Sequence, residues 1–378
     1  MESVYCINND TVISVGEAGV ILRTINGGQN WNQLSSGTSE ILNEVFFCNN
    51  TDGYIVGRNG TVLKSSDAGA TWVNLNFPNS YHISSCNFFN KDTGWVATEY
   101  PGTVYKTVNG GSSWDSIYHV SSFYDIYFID SDTGFVVSFT EFVYRTTDGG
   151  ENWSAINVGA YMGLQGIYFA NKQIGYVCGG SNLYKTTDSG ITWTEITTSY
   201  NYLFNLHFPT LMTGYCAGTN EMPVYGGIAK TTDGGQTWVG EDWLRAKDVY
   251  FVHADTGYVV TRDGEIFKTT NGSIYKEDVA VNELTPDIEN INIYPNPTSK
   301  DVTIAITLKE SLNITIDVYS LTGKKVCSLA KNQLFNKGNN EVRWNLKSDD
   351  GNPVDSGIYI YHIKSIEFEK AGKITIFE

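Results

Sequence analysis

Carboxylates, arginines and histidines are the residues here that could do chemistry. Glu99, Glu141 and Asp263 fall in short polar stretches between apolar runs. Cleavage of a glycosidic bond needs two carboxylates about 5 to 10 Å apart, one as general acid and one as nucleophile or base, so these three are the candidates for such a pair. Arg58, Arg245 and Arg262 could receive an anionic group. His82, His119, His207, His253 and His362 show no metal-ligand spacing, and no Gly-x-Ser-x-Gly or P-loop phrase occurs. The six cysteines form no Cys-x-x-Cys, so no metal and no cofactor is expected. Cys178 and Cys216 lie on corresponding strands of neighbouring repeats, one position out of register, and could form one disulfide in an oxidising compartment.

A repeat governs where these groups can sit. Six times the chain reads a basic residue, Ser or Thr, any residue, Asp or Asn, a Gly-containing turn, then Trp: Asn26 to Trp31, Asp67 to Trp72, Asn109 to Trp114, Asp148 to Trp153, Asp188 to Trp193 and Asp233 to Trp238. The tryptophans are 41, 42, 39, 40 and 45 residues apart, and a seventh copy, Lys268 to Ser273, lacks its Trp. A second phrase, of the form Asp-Thr-Gly-aromatic (Asp92 to Trp95, Asp132 to Phe135, Asp255 to Tyr258), keeps the same beat. Short strands and Gly turns at a period near 40 predict a β-propeller of seven four-stranded blades over residues 1–277. The second repeat predicts strands Leu42–Phe47, Gly53–Gly57, Thr61–Lys64 and Thr71–Leu75.

The Asp or Asn of each phrase has a structural role, because a short side-chain oxygen closes the turn on backbone N–H groups. These residues resemble the Asp box of BNR-repeat and sialidase-like propellers, in which the box lies away from any active site. The stretch Val249 to Gly272 further resembles the repeat of the photosystem II assembly and stability factor family. That likeness covers about residues 4 to 275 and implies the fold; the arginine patch of photosynthetic members has no counterpart here. The resemblance directs attention to the face opposite the boxes, where Arg58, Tyr100, Tyr161, Tyr202, Trp243 and Arg262 are the candidate ligand-binding residues. Aromatic and acidic residues mixed on a shallow face suit a glycan, a peptide or a protein surface. The rival reading is a glycoside hydrolase of sialidase or xyloglucanase type, and a third is an envelope assembly factor.

Beyond Lys276 the repeat stops. Residues 278–290 read as an acidic linker, and 291–378 as a small β-sandwich of immunoglobulin-like type with alternating strands Val302–Leu308, Leu312–Tyr319, Asn340–Leu346, Gly357–Ile363 and Ala371–Phe377. Tyr294-Pro295-Asn296-Pro297, the Thr322-Gly323 turn and Gly357-Ile358-Tyr359 resemble the type A C-terminal sorting domain of the type IX secretion system. This implies a Bacteroidetes-type bacterium, the secretion machinery as partner, and a secreted or outer-membrane surface location.

Composition is consistent with export. The formal charge is -16, with 41 acidic against 25 basic residues, which disfavours nucleic acid and anionic membranes. No apolar run is long enough to span a bilayer. Val4-Tyr5 enters the first repeat with no basic and apolar leader before it. The reading at this level is an N-terminally incomplete sequence lacking a signal peptide and a closing strand; the competing expectation makes Ile274–Val279 a weak fourth strand of the seventh blade.

Overall fold

The computed structural model describes residues 1–120, 122–160, 163–180, 182–197, 202–220, 225–241, 245–272, 280–282, 288–309, 311–320, 324–365 and 369–377. Among these the chain is all-β, with two single 3₁₀ turns and no α-helix. It divides into two units, Met1–Glu283 and Leu284–Glu378.

In the first unit each repeat closes on itself as a four-stranded antiparallel sheet with strands in sequence order, and seven such sheets follow one another. The second comprises Leu42–Phe47, Gly53–Gly57, Val62–Ser65 and Val73–Asn74. Its first two strands match the sequence expectation to the residue; the third is shifted by one residue toward the box, and the fourth is shorter, because the box turn takes its start. The innermost strands of consecutive sheets touch, and Ser3–Cys6 touches Ala246–Phe251, so the seventh sheet meets the first and a ring results. The fourth strand of the seventh sheet is Ala280–Asn282, paired with Ile266–Lys268. It comes from residues read above as linker, not from a strand borrowed from the chain's start; 274–279 lie outside the described residues. All six cysteines are free thiols. Cys178 and Cys216 share the core between the fifth and sixth sheets without a disulfide between them.

Sheet packs on sheet through one repeated contact. The aromatic residue of a second strand lies flat on the Phe that ends the next sheet's first strand. Tyr54 stacks on Phe88 at 3.4 Å, Trp95 on Phe128 at 3.6 Å, Tyr176 on Phe208 at 4.0 Å and Tyr215 on Phe251 at 3.4 Å. The box Trp meets the same Phe edge-on, as Trp114 does Phe88 and Trp153 does Phe128. The basic residue before the box then covers the stack: Lys64 lies 5.2 Å from the Tyr54 ring centre and Lys230 5.4 Å from that of Tyr215. It also reaches the next sheet's box, Lys185 Nζ donating to the Gly234 carbonyl at 2.6 Å and Lys230 Nζ to that of Gly272 at 2.8 Å. Lys268 makes the same bond to Gly27 at 2.6 Å across the closing seam.

A second set of ties runs around the inside of the ring. Val4 N donates to Asp248 Oδ2 (2.9 Å), Cys86 N to Glu44 Oε2 (2.6 Å) and Ile167 N to Asp125 Oδ2 (2.8 Å), each from one sheet to a neighbour. Phe251 N donates to His207 Nδ1 at 3.2 Å, which requires that nitrogen to be unprotonated.

The second unit has a three-stranded sheet (Ile288–Tyr294, Val302–Leu308, Gly338–Trp344) and a four-stranded sheet in the order Lys325–Phe335, Leu312–Ser320, Gly357–Lys364, Glu369–Ile376. Val302, Ile304, Ile306 and Leu308 alternate into a core with Ile314, Ile316, Val318, Trp344 and Ile363. Lys325–Phe335 and Ile288–Tyr294 were not read as strands: the first interrupts its apolar alternation with Lys331, Asn332 and Gln333, and the second lies across the assumed linker boundary. Asn296 ties the Tyr-Pro-Asn-Pro turn down, donating to the Lys373 carbonyl and accepting from Thr375 N, both at 2.9 Å. Tyr294 donates to Glu341 (2.7 Å) and Tyr359 to the Asp355 carbonyl (2.9 Å). Gly323 lies outside the described residues.

Two predictions follow from the packing. A Cβ at Gly94 would meet the Phe88 ring at 2.1 Å. Gly94→Ala is therefore expected to cost about 1–3 kcal/mol in urea unfolding; an unchanged midpoint would refute the packing account. The second concerns pH. Burial raises the Asp248 carboxyl to about 6, so its stabilising contribution is full below the ordinary carboxylate range and is lost as pH rises through 6. Burial holds His207 down to about 3, so its contribution is full above the ordinary histidine range and is lost as pH falls toward 3. Relative to the parent, Asp248→Asn should gain roughly 1–3 kcal/mol between pH 4.5 and 7.5. His207→Gln should change in the opposite direction, and equal destabilisation at both pH values would contradict both assignments.

Candidate functional site

The box turns and the turns between first and second strands share one end of the ring. They are hydrogen-bonded to each other there, Gly110 N to the Asp92 carbonyl (2.8 Å) and Gly272 N to that of Asp255 (2.6 Å). Within a box, Asp188 accepts from Thr186, from Thr192 N and from the Thr192 hydroxyl. Bonds from Thr192 first, then Thr186, hold its carboxyl down to about 2. Asp233 is bound in the same way by Thr237 and Thr231, and Asp148 by Asn152 and Thr146. These carboxylates are saturated by their own turns.

At the opposite end the innermost strands leave a central cavity of about 550 Å³. Its mouth carries Glu2, Glu17, Arg58, His82, Glu99 and Lys247. Lys247 pairs with Glu2 at 3.0 Å, and His82 Nδ1 with Glu99 Oε2 at 2.6 Å. The bond to His82 lowers the Glu99 carboxyl below its usual range. Deeper in the wall lie the Glu44, Asp125 and Asp248 carboxyls that tie the sheets together. The floor is aromatic: Tyr5 packs on Tyr250 (4.6 Å), His207 on Tyr250 (4.1 Å), Tyr168 on His207 (5.1 Å) and Tyr127 on Tyr168 (5.7 Å). Tyr5, Tyr127 and Tyr168 donate their hydroxyls to carbonyls of the next sheet, at Phe47, Phe169 and Phe208. Burial raises the Tyr168 hydroxyl to about 12, so this floor stays uncharged. Six carboxyls (Glu2, Glu17, Glu44, Glu99, Asp125, Asp248) thus share the cavity with two fixed cations, Arg58 and Lys247.

The structure divides the candidate residues of the sequence. Arg58 and Glu99 line the cavity. Tyr100 stands beside Glu99 with 80% of its surface exposed, outside the lining. Arg262 lies over the Phe204 ring at 4.9 Å, and Phe204 is a lining residue. Tyr161 and Trp243 lie outside the described residues, as does the side chain of Tyr202, whose backbone begins the strand Tyr202–His207. The carboxylates considered for acid and base do not converge. Glu99 is engaged by His82, Asp263 is paired with Arg245 at 2.9 Å, and Glu141 is not part of the lining. Among the described residues no group of His, Cys, Asp and Glu could hold a metal ion.

Sequence reasoning missed Lys247, the three wall carboxyls and Phe139, which is exposed and 6.1 Å from the lining ring of Tyr124. A signal was present. Ser3, Glu44, Ser85, Asp125, Gly166, Asn205 and Asp248 recur at the beat of the repeat inside otherwise apolar runs, a polar position that strand packing alone would not select.

Comparison with known proteins is consistent with this architecture. Residues 25–122 and 116–242 match the family model described as "Photosynthesis system II assembly factor YCF48", together more than half of the chain, and 292–377 match the "Secretion system C-terminal sorting domain". Curated proteins give no sequence match. Among solved structures, "YCF48 bound to D1 peptide" is similar with TM-score 0.60 and 19% identity, over 71% of this chain and 93% of that one. The GH74 xyloglucanase from Xanthomonas campestris gives TM-score 0.60 and 11% identity, over 81% of this chain and 57% of that one. PorZ, a surface component of the type IX secretion system of Porphyromonas gingivalis, gives TM-score 0.51 and 13% identity, over 98% and 58%. At such identities the likeness is one of fold. The sorting domain marks the protein for export to the cell surface or beyond, and no helix among the described residues is long and apolar enough to cross a membrane. The chain belongs to the YCF48-like photosystem II assembly factor family of BNR-repeat propellers, joined to a type IX secretion sorting domain.

Proposed function

We propose that the first unit is a seven-bladed propeller that works outside the cell as a binding module, taking a polypeptide segment with a cationic side chain into its central cavity. The carrying observation is that cavity: about 550 Å³, open at the face away from the boxes, six carboxyls to two fixed cations, and a floor of tyrosines. A lysine or arginine fits both parts, its alkyl stem lying on aromatic faces and its charge among carboxylates. Phe139, 59% exposed beside Tyr124, and Tyr100 extend an apolar ledge from the mouth for the flanking residues. A fold neighbour has been solved with a peptide, which supports a peptide over a glycan. The scarcity of arginine here argues for a ligand of different charge from one that an arginine patch would select. The second unit, of immunoglobulin-like sandwich type in this reading, serves export and engages the secretion machinery.

An envelope assembly role is compatible, since such a factor holds segments of other proteins. The glycoside-hydrolase reading draws no support from Glu99 and Asp263, which are engaged by separate partners, or from Glu141, which is not part of the cavity lining.

Titration calorimetry of the full chain with a lysine-containing peptide, its acidic counterpart and a neutral xyloglucan oligosaccharide tests this. The basic peptide alone is expected to bind, more weakly at high salt. The double substitution Glu17→Gln, Glu99→Gln should weaken it by about tenfold, or roughly 1.4 kcal/mol. Preference for the acidic peptide would overturn the charge assignment, and release of sugar from the oligosaccharide would overturn the non-catalytic reading.

A further inference from the structure

Five innermost strands carry a β-bulge at the same place. In the second, third, fourth, sixth and seventh sheets one extra residue stands unpaired against the second strand: Asn43, Ser84, Tyr124, Phe204 and Lys247. All five line the central cavity. A bulge gives up a ladder pair and re-aims one side chain, so its recurrence at one level of the ring is a means of presenting side chains to that space. In the fifth sheet Gln165, just before the strand Gly166–Phe169, joins the same lining.

This row differs between the two halves of the ring. The seventh, first, second and third sheets, one contiguous half, supply every charged group of the mouth. There Asn43 and Ser84 are spent on ties, Asn43 Nδ2 donating to the Ile83 carbonyl (2.7 Å) and Ser84 Oγ to that of Phe123 (2.9 Å). In the fourth, fifth and sixth sheets the row reads Tyr124, Gln165 and Phe204, with no charge; Asp125, below it, accepts from Ser85, Ile126 N and Ile167 N. Phe139 widens this arc beside Tyr124, and although exposed it is held in place. Gly163, at a φ of 75°, packs so close that a Cβ there would lie 2.8 Å from the Phe139 Cα, and Leu164 N donates to the Ser138 carbonyl at 2.9 Å. At the other end Arg262 covers the Phe204 ring at 4.9 Å. The Gln165 side-chain amide is hydrogen-bonded to none of the described residues.

We propose that this neutral arc is a second subsite of the cavity, which takes an aromatic side chain adjacent in sequence to the ligand's cationic residue while the Gln165 amide pairs with the peptide group between them. The inference rests on the peptide reading above and narrows its ligand class to segments that place a lysine or arginine beside an aromatic residue. An extended chain turns successive side chains to opposite sides. A segment lying across the mouth therefore gives one side chain to the acidic half and the next to the aromatic half. Tyr124, Phe139 and Phe204 offer ring faces and edges to an aromatic partner. Arg262 puts positive charge at the end of that arc, which disfavours a second cation there and so a polybasic segment. A glutamine amide has both a donor and an acceptor, the complement of a peptide N–H and C=O.

Titration calorimetry of the full chain with three acetylated and amidated pentapeptides tests this: Gly-Phe-Lys-Phe-Gly, Gly-Gly-Lys-Gly-Gly and Gly-Phe-Gly-Phe-Gly. Phenylalanine on both sides makes the result independent of chain direction. The first peptide is expected to bind about tenfold more tightly than the second. Phe139→Ser should bring that ratio to within about twofold, whereas Glu99→Gln should weaken both lysine peptides and leave their ratio as it was. Gln165→Ala should weaken both by about fivefold, since both carry the peptide group. Equal affinity for the two lysine peptides overturns the aromatic subsite and leaves the charge reading standing. Equal affinity for the two phenylalanine peptides overturns the charge reading and leaves the arc. Unchanged binding in Gln165→Ala overturns the main-chain pairing, and no binding by any of the three overturns both readings.

Discussion

The flat stacking of one sheet's second-strand aromatic on the next sheet's Phe is the contact on which the rest of the ring depends. Strands within each repeat pair locally and would do so without their neighbours, but a twisted four-stranded sheet leaves both faces apolar and cannot stand alone. The stacks of Tyr54 on Phe88, Trp95 on Phe128 and Tyr215 on Phe251 bury those faces in register. Each contributes about 0.5–1.5 kcal/mol beyond its area. The glycine before each second-strand aromatic exists for the same contact, because a side chain there would occupy the space of the Phe ring. The basic residue before the box completes it, as Lys64, Lys230 and Arg145 do, placing charge over the ring and a donor on the next sheet's turn.

Those outer contacts leave the inside of the ring to polar groups. Bringing seven innermost strands together exposes backbone donors along a channel too narrow to hydrate fully, and Asp248, Glu44 and Asp125 accept them. Desolvated carboxyls are costly unless paired or protonated. The belt therefore makes ring closure sensitive to proton concentration, and it lies in the wall of the cavity proposed for ligand. Gly166, the one position of the row without a side chain, sits where a Cβ would lie 2.6 Å from the Phe204 carbonyl. There the fifth and sixth sheets approach too closely for a polar tie.

Much of the fold was legible because it is periodic. The box Trp, the Asp-Thr-Gly turn and the apolar first strand recur often enough that an error in one copy is corrected by the others, and the bounds of the first two strands of the second repeat are legible to the residue. Legibility ended where periodicity did. The seventh repeat has lost its Trp, and its fourth strand, Ala280–Asn282, has no phrase to announce it. In the second unit, Lys325–Phe335 is an edge strand whose exposed polar residues hide the alternation.

The amino-acid sequence by itself determined the all-β class, the repeat, the structural role of the box residues and the export tail, since each is written in local spacing. Only tertiary structure decided which charged residues meet. Glu99 and Asp263, equivalent as loop carboxylates in the sequence, are separated by their partners, His82 and Arg245. Glu44 and Asp125, in the second and fourth repeats of an apolar strand pattern, are brought into the wall of one cavity. Residues some 80 positions apart become neighbours only when the ring closes, and protonation, burial and charge balance arise from that closure.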